Sequence, residues 1–281
     1  MKILVTGAHG QLGRYVQQAA IGSEDRYLFT DREELDITDR AAVARFVQAE
    51  AVDVILNCAA YTDVERAEEQ EREAYRLNAE AVGYLASAAR ENDALLIHIS
   101  TDYVFMGGCC ALLTEQSHPQ PINAYGRTKL AGEELIAQSG CHFQIIRTAW
   151  LYGAYGKNFV RTILRRSLEQ PKLRVVNDQI GSPTFAGDLA EAIVANITAR
   201  NFTEGIFHYT NLGECSWWEF AVEICRLAGR TTPVEPCRSE EYPSRAKRPA
   251  NTILSKDKFI RTFQRPIPHW RDSLKKMIDA L

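Results

Sequence analysis

Lys2-Ile-Leu-Val-Thr6-Gly7-Ala-His-Gly10-Gln-Leu-Gly13 is the stretch that decides the fold. The apolar run 2–6 reads as a buried parallel strand, and it meets the glycines with no spacer, so a tight turn must hand the chain straight to a helix. Glycines let the backbone approach a pyrophosphate closely, while the free N–H groups and positive end of the helix dipole stabilise the anion. The spacing is GxxGxxG rather than GxGxxG, and a tight turn with no ligand is the plain alternative. The next strand favours the ligand. It covers 27–30 and ends at Asp31, the distance after such a turn at which an acid meets the adenosine ribose hydroxyls.

Outward from this unit, strands and helices alternate. Strands are expected at 2–6, 27–30, 52–58, 95–100 and 143–148, with helices at 11–20, 39–49, 67–92 and 124–138 and Thr38 as N-cap of the second helix. Alternation of this kind predicts a Rossmann-type, doubly wound parallel sheet covered on both faces. The rhythm changes after Trp150, with Pro171, Pro183 and a Pro-rich stretch at 232–249. We therefore expect a dinucleotide-binding unit over 1–150, a return to its sheet at 185–210, and a smaller α/β substrate lobe built mainly from 151–281.

Composition excludes several classes. The chain has 281 residues and a formal net charge of −3, with no basic block that would mark a nucleic-acid partner. No apolar run reaches the roughly 20 residues needed to cross a bilayer, and a strand beginning at residue 2 leaves no room for a secretory signal, so a cytoplasmic location is expected. Seven cysteines, two of them adjacent at Cys109 and Cys110, show no CxxC or Cys/His metal spacing and read as reduced thiols.

Tyr125-Gly-Arg-Thr-Lys129 carries the chemistry. A phenol and an ammonium four residues apart share one helix face, and a nearby cation lowers a phenol whose ordinary pKa is about 10. The third and fourth strands end in Asn57-Cys-Ala-Ala-Tyr-Thr62 and His98-Ile-Ser-Thr-Asp-Tyr-Val-Phe105, the fifth in Arg147-Thr-Ala-Trp150. Ligands bind beyond such strand ends in open parallel sheets. Thr101, Tyr125 and Lys129 are placed around one point, with Asn78 on a preceding helix as support. A carbonyl there would meet a hydroxyl, an acid and a cation.

These motifs, with Asn177-Asp-Gln-Ile-Gly-Ser-Pro-Thr184 and Arg248-Pro249, run essentially end to end. The chain resembles the extended short-chain dehydrogenase/reductases and, within them, the dTDP-4-dehydrorhamnose reductases. The resemblance implies reduction of a dTDP-linked 4-keto-6-deoxy sugar at C4, with Tyr125 giving a proton to the oxygen, Lys129 holding the nicotinamide ribose and poising Tyr125 near the operating pH, and Thr101 donating to the carbonyl or tuning the phenol. It also implies a sugar pocket of Thr62, Asp102, Tyr103 and Trp150. The plain alternative for Trp150 is a core aromatic.

For the cofactor, the resemblance places Gly10, Gln11 and Leu12 along the pyrophosphate, Asp36 and Ile37 against the adenine, and Ala59, Ala60 and Tyr61 along the nicotinamide half. Asp31 favours a ribose 2′-OH and Arg32 can pair with a 2′-phosphate, so use of both NADH and NADPH is expected. The loop from Met106 to Leu113 departs from the more polar loop usual in the family. Relatives that dimerise through magnesium carry glutamates where this chain has Arg14, Tyr15 and Gly187, so no metal and a monomer or weak metal-independent dimer are expected. Two other functions fit the fold: a non-catalytic regulator of the methionine adenosyltransferase type, and a nucleotide-sugar epimerase.

Overall fold

In the computed structural model, which describes residues 1–108 and 112–281, a six-stranded parallel sheet forms the centre. Its strands are β1 (Lys2–Thr6), β2 (Arg26–Thr30), β3 (Val54–Asn57), β4 (Leu95–Thr101), β5 (His142–Thr148) and β6 (Gly205–His208), in the order β6-β5-β4-β3-β1-β2. Alternation along β1 sends Ile3 and Val5 to one face and Leu4 to the other, and both faces are buried. On the first face they meet Leu12 and Val16 of α1 (Gln11–Ala19) and Leu189 and Ile193 of α5 (Ala186–Thr198). The second face packs against α2 (Arg40–Glu50), α3 (Ala81–Glu91) and α4 (Ala124–Ser139) through Val43, Val47, Leu85 and Ile136. The order reverses between β1 and β3, and the glycine turn sits at that switch point.

The later chain builds a smaller lobe. Leu173–Val176 pairs with Val234–Cys237, and Ile180–Gly181 with Cys215–Ser216. Their core is Val160, Ile163, Phe220, Ile224, Trp270 and Leu274. The return to the large unit reaches beyond 185–210. Helix Asp257–Phe263 inserts Phe259 against Tyr209 and Phe263 against Phe207, so its apolar face joins the core of the large unit.

Two local expectations need correction. Asp39, not Thr38, caps α2: its carboxylate accepts from the N–H groups of Ala41 and Ala42, whereas the Thr38 hydroxyl donates to Asp36 at 2.7 Å and accepts from Arg76. The expected helix 67–92 is four pieces: Val64–Ala67, Glu71–Tyr75, a π-helical turn at Arg76–Glu80, and α3. The π turn leaves Asn78 buried beneath the site. Its Oδ1 accepts from Tyr61 N–H at 2.8 Å, and its Nδ2 donates to Tyr61 O and to Thr128 Oγ1.

Helix α4 lies so close to this turn that a Cβ at Gly132 would come 2.2 Å from Asn78 O, whereas one at Gly83 would only touch Leu135 at 3.4 Å. Gly132→Ala is expected to cost about 1–3 kcal/mol of overpacking in urea unfolding, and Gly83→Ala to be near neutral. Equal effects from the two would show that the approach of α4 to Asn78 is not what limits this position.

Candidate active site

The C-terminal ends of β1, β3, β4 and β5 open into a cavity of about 800 Å³. It is lined by Gly7, Gly10, Gln11 and Leu12 of the glycine turn, by Asp31, Arg32, Asp36 and Ile37 after β2, and by Thr101, Asp102, Tyr125, Lys129 and Trp150. Ala59, Ala60, Tyr61 and Thr62, after β3, line it as well. Gly7 stands at φ +65°, where a Cβ would come 2.7 Å from the backbone nitrogen of Ala59, so this turn tolerates only glycine. Gly10 is the N-cap of α1 and no side chain caps the helix, which leaves its first N–H groups for an anion. Gly13 does not reach the cavity. Its Cα packs α1 onto the turn, where a Cβ would lie 2.4 Å from Gly7 O.

Asp31 is held in place by the backbone N–H groups of His9 and Arg32, and the exposed Arg32 guanidinium is 3.7 Å from Asp36. The uncapped helix and the acid at the end of β2 suit a dinucleotide.

At the reactive end, Asn123 caps α4 through the N–H of Gly126, and the helix brings both Tyr125 and Lys129 to the cavity. Their charges differ from expectation. Burial pushes Tyr125 up to about 12, the Thr101 hydroxyl opposes this only in part, and the Asp102 carboxylate adds to it. Lys129 does not draw the phenol down because its own ammonium is disfavoured: burial lowers it to about 8, against a smaller opposing effect from Glu133. Its Nζ lies 3.0 Å from His98 Nε2 and donates to Ile99 O at 2.7 Å.

Thr101 accepts from Tyr103 N–H and donates to Asp102 Oδ1, both at 3.1 Å. The Asp102 carboxylate is buried between Thr101 and Thr252, and burial raises it to about 6. Asp102 therefore anchors Thr101, its carboxylate engaged by the two hydroxyls. Tyr103 sits outside the first cavity, edge-on to Tyr125, and lines a neighbouring cavity of about 1030 Å³ with Thr62, Lys157, Arg174, Trp217 and Arg248. Trp150 adopts φ +48°, an outlier for a bulky residue, and lies flat on Trp217 with ring centroids 3.5 Å apart.

Sequence reasoning passed over His98 as a site group and missed Thr252 and Lys157 altogether; Thr252 is 150 positions from its partner Asp102, and no local pattern marks it. Tyr15 donates no carboxylate but accepts from Ala154 N–H, and Gly187 packs under Phe185. Cys109 and Cys110 lie outside the described residues. Among the described residues no group of three or more His, Cys, Asp or Glu side chains is placed to hold a metal, and no helix is long and apolar enough to cross a membrane.

A family model described as the RmlD substrate binding domain matches residues 1–281. The chain belongs to this family. A dTDP-4-dehydrorhamnose reductase of Sinorhizobium fredii is 37% identical over 291 residues, covering 100% of this chain and 98% of the relative. The crystal structure of a dTDP-4-dehydrorhamnose reductase from Clostridium acetobutylicum matches with a TM-score of 0.96 and 43% identity, over 100% of this chain and 99% of that one. Another, from Bacillus anthracis in complex with NADP, gives 0.95 and 37% over the same shares.

The lowered Lys129 amine has a consequence for stability. Between pH 8 and its ordinary value of 10.5 the unfolded chain binds more protons at this position than the folded one, so stability from this group rises with pH through that window and is lost as pH falls to 8. Relative to Lys129→Met, the wild-type thermal midpoint should therefore climb between pH 8 and 10.5 and run parallel below pH 8. Parallel curves throughout would mean that Lys129 titrates alike in both states.

Proposed function

We propose that the chain reduces the C4 keto group of dTDP-4-dehydro-L-rhamnose to dTDP-L-rhamnose, using NADPH or NADH, in the synthesis of nucleotide sugar for cell-surface polysaccharide. The observation that carries the reading is the convergence of Thr101, Tyr125 and Lys129 on one cavity that continues to an uncapped glycine turn. The solved relative bound to NADP and the reductase relatives support it. Intact Thr101, Tyr125 and Lys129 speak against a non-catalytic regulator of the methionine adenosyltransferase type.

Gly7, Gly10, Gln11 and Leu12 would hold the pyrophosphate, Asp31, Arg32, Asp36 and Ile37 the adenosine half, and Ala59, Ala60, Tyr61 and Lys129 the nicotinamide half. The bound nicotinamide supplies hydride to the carbonyl carbon. Burial keeps Tyr125 as the neutral phenol, which is the form that can give a proton to the oxygen as negative charge develops there. Thr101, fixed by Asp102 and by Tyr103 N–H, orients the donors around that oxygen. Thr62, Tyr103 and Trp150 would bound the sugar, with the nucleotide in the adjoining cavity, which Lys157 lines and where Arg174 and Arg248 would have to exchange Glu241 and Glu65 for its phosphates. We infer a monomer or a weak, metal-independent dimer in the cytoplasm.

Tyr125→Phe should keep the fold and the affinity for NADPH while losing roughly 10² to 10⁴ in kcat with the dTDP-4-keto-6-deoxy sugar, the usual scale of general-acid help. Near-normal turnover would remove Tyr125 from the chemistry. NADH and NADPH should give kcat/KM values within about tenfold, or about 1.4 kcal/mol, of each other, and Asp31→Ala should move the ratio toward NADPH because the carboxylate that repels a 2′-phosphate is gone while Arg32 stays. A thousandfold preference in the wild type contradicts dual use.

A further inference from the structure

His98 is fully buried in the middle of β4 and does not itself line the cavity, yet both of its ring nitrogens are committed. On one side stands Asn57. The orientation of the Asn57 amide is fixed by accounting: its Oδ1 receives the N–H of Ala59 at 3.1 Å, a group that can only donate, and the hydroxyl of Thr6 at 2.7 Å. The amide nitrogen therefore faces His98 Nδ1 at 3.0 Å and donates to it, so Nδ1 carries no proton. A neutral imidazole must then carry its proton on Nε2, and Nε2 faces Lys129 Nζ at 3.0 Å.

An ammonium in that position would set N–H against N–H. Moving the imidazole proton to Nδ1 only transfers the conflict to the Asn57 amide, and a doubly protonated ring conflicts with both. One arrangement satisfies every group: Lys129 as a free amine, accepting from His98 Nε2–H with its lone pair and donating to Ile99 O at 2.7 Å, with one N–H left for the cavity it lines. We propose that His98, locked in its Nε2-protonated form by Asn57 and Thr6, is a positioning residue that favours the neutral amine of Lys129 over its ammonium in the cofactor-free enzyme. The role rests on the placement of Lys129 in the active site above.

The other groups around Lys129 are consistent with this. Glu133, one turn along α4, is consumed by Arg147 and by Ser100 Oγ and so is a weak counter-charge. Tyr125 from the same helix is a neutral phenol, the Cys58 thiol in the same cavity is pushed up to about 12 by burial, and the Asp102 carboxylate is bound by Thr101 and Thr252. Burial holds His98 well below the ordinary histidine range, which excludes the imidazolium. No neighbouring charge therefore stabilises an ammonium strongly enough to break the donor count.

The test reads proton positions directly, without turnover. Long-range ¹H–¹⁵N spectra of the cofactor-free, full-length enzyme labelled at histidine report the His98 tautomer, and ¹³Cε shifts of labelled lysine, assigned with Lys129→Met, report the Lys129 titration. The expected result is a Lys129 titrating near 8 rather than 10.5, with His98 neutral and protonated at Nε2 at pH 9, where Lys129 is the free amine. Asn57→Asp keeps the acceptor for Thr6 and Ala59 but offers His98 Nδ1 an acceptor in place of a donor. It should move the imidazole proton to Nδ1, turn Nε2 into an acceptor, and raise the Lys129 titration by at least one pH unit. A wild-type His98 protonated at Nδ1 at pH 9, a Lys129 titrating near 10.5, or an Asn57→Asp protein whose Lys129 does not move would each overturn the proposal. If that variant does not fold, the two wild-type readings decide alone. Since neither needs substrate, an enzyme inactive on the dTDP sugar would count against the proposed reaction and leave these readings intact.

Discussion

One buried run of hydrogen bonds ties the sheet to the helix that carries Tyr125 and Lys129. Thr6 on β1 donates to Asn57 on β3, Asn57 to His98 on β4, and His98 meets Lys129 on α4, with steps of 2.7, 3.0 and 3.0 Å. All four side chains are almost wholly excluded from solvent. Each is a polar group that would cost about 1–3 kcal/mol if left unpaired, so the spacing of three strands and the seating of α4 must agree before any of them can be satisfied. Beside it, Glu133 of α4 accepts from Arg147 of β5 and Ser100 of β4, a buried ion pair that fixes the same helix to the next two strands.

The function grows from what this packing does to protons. Burial moves four groups of this buried cluster toward neutrality: up for Tyr125 and Asp102, down for Lys129 and His98. A neutral phenol is the form that can give a proton to a carbonyl oxygen, and a low-dielectric surround strengthens each dipole aimed at that oxygen. The glycine turn answers a different need. Without side chains at Gly7 and Gly10 the backbone can come within reach of a pyrophosphate at an uncapped helix end.

The sequence discloses the elements whose signal is local. The apolar strands, the glycine turn, Asp31 at the end of β2 and the Tyr125–Lys129 spacing are all legible, because each depends on residues close in the chain. Other features depend on competition. Thr38 and Asp39 are both good caps, and only the contact of Thr38 with Asp36 and Arg76 decides between them. The π turn at Arg76–Glu80 lies in an alanine-rich run that carries no mark of a changed hydrogen-bond register. The spacing of Tyr125 and Lys129 shows a shared helix face but not that burial would override the pull of the cation, since desolvation is a property of the assembled site. Helix Asp257–Phe263 and Thr252 reach the large unit from far along the chain, where no local pattern points back to it.

The central claim, that this buried constellation reduces a sugar ketone, is tested most directly by following the nicotinamide absorbance of the purified enzyme with NADPH, first alone and then with the dTDP-4-keto-6-deoxy sugar. The account predicts a stable absorbance that falls, one cofactor oxidised per sugar reduced, only when the sugar is added. An unchanged absorbance with the sugar present, or turnover of the sugar that leaves the cofactor unconsumed as an epimerase would, contradicts it.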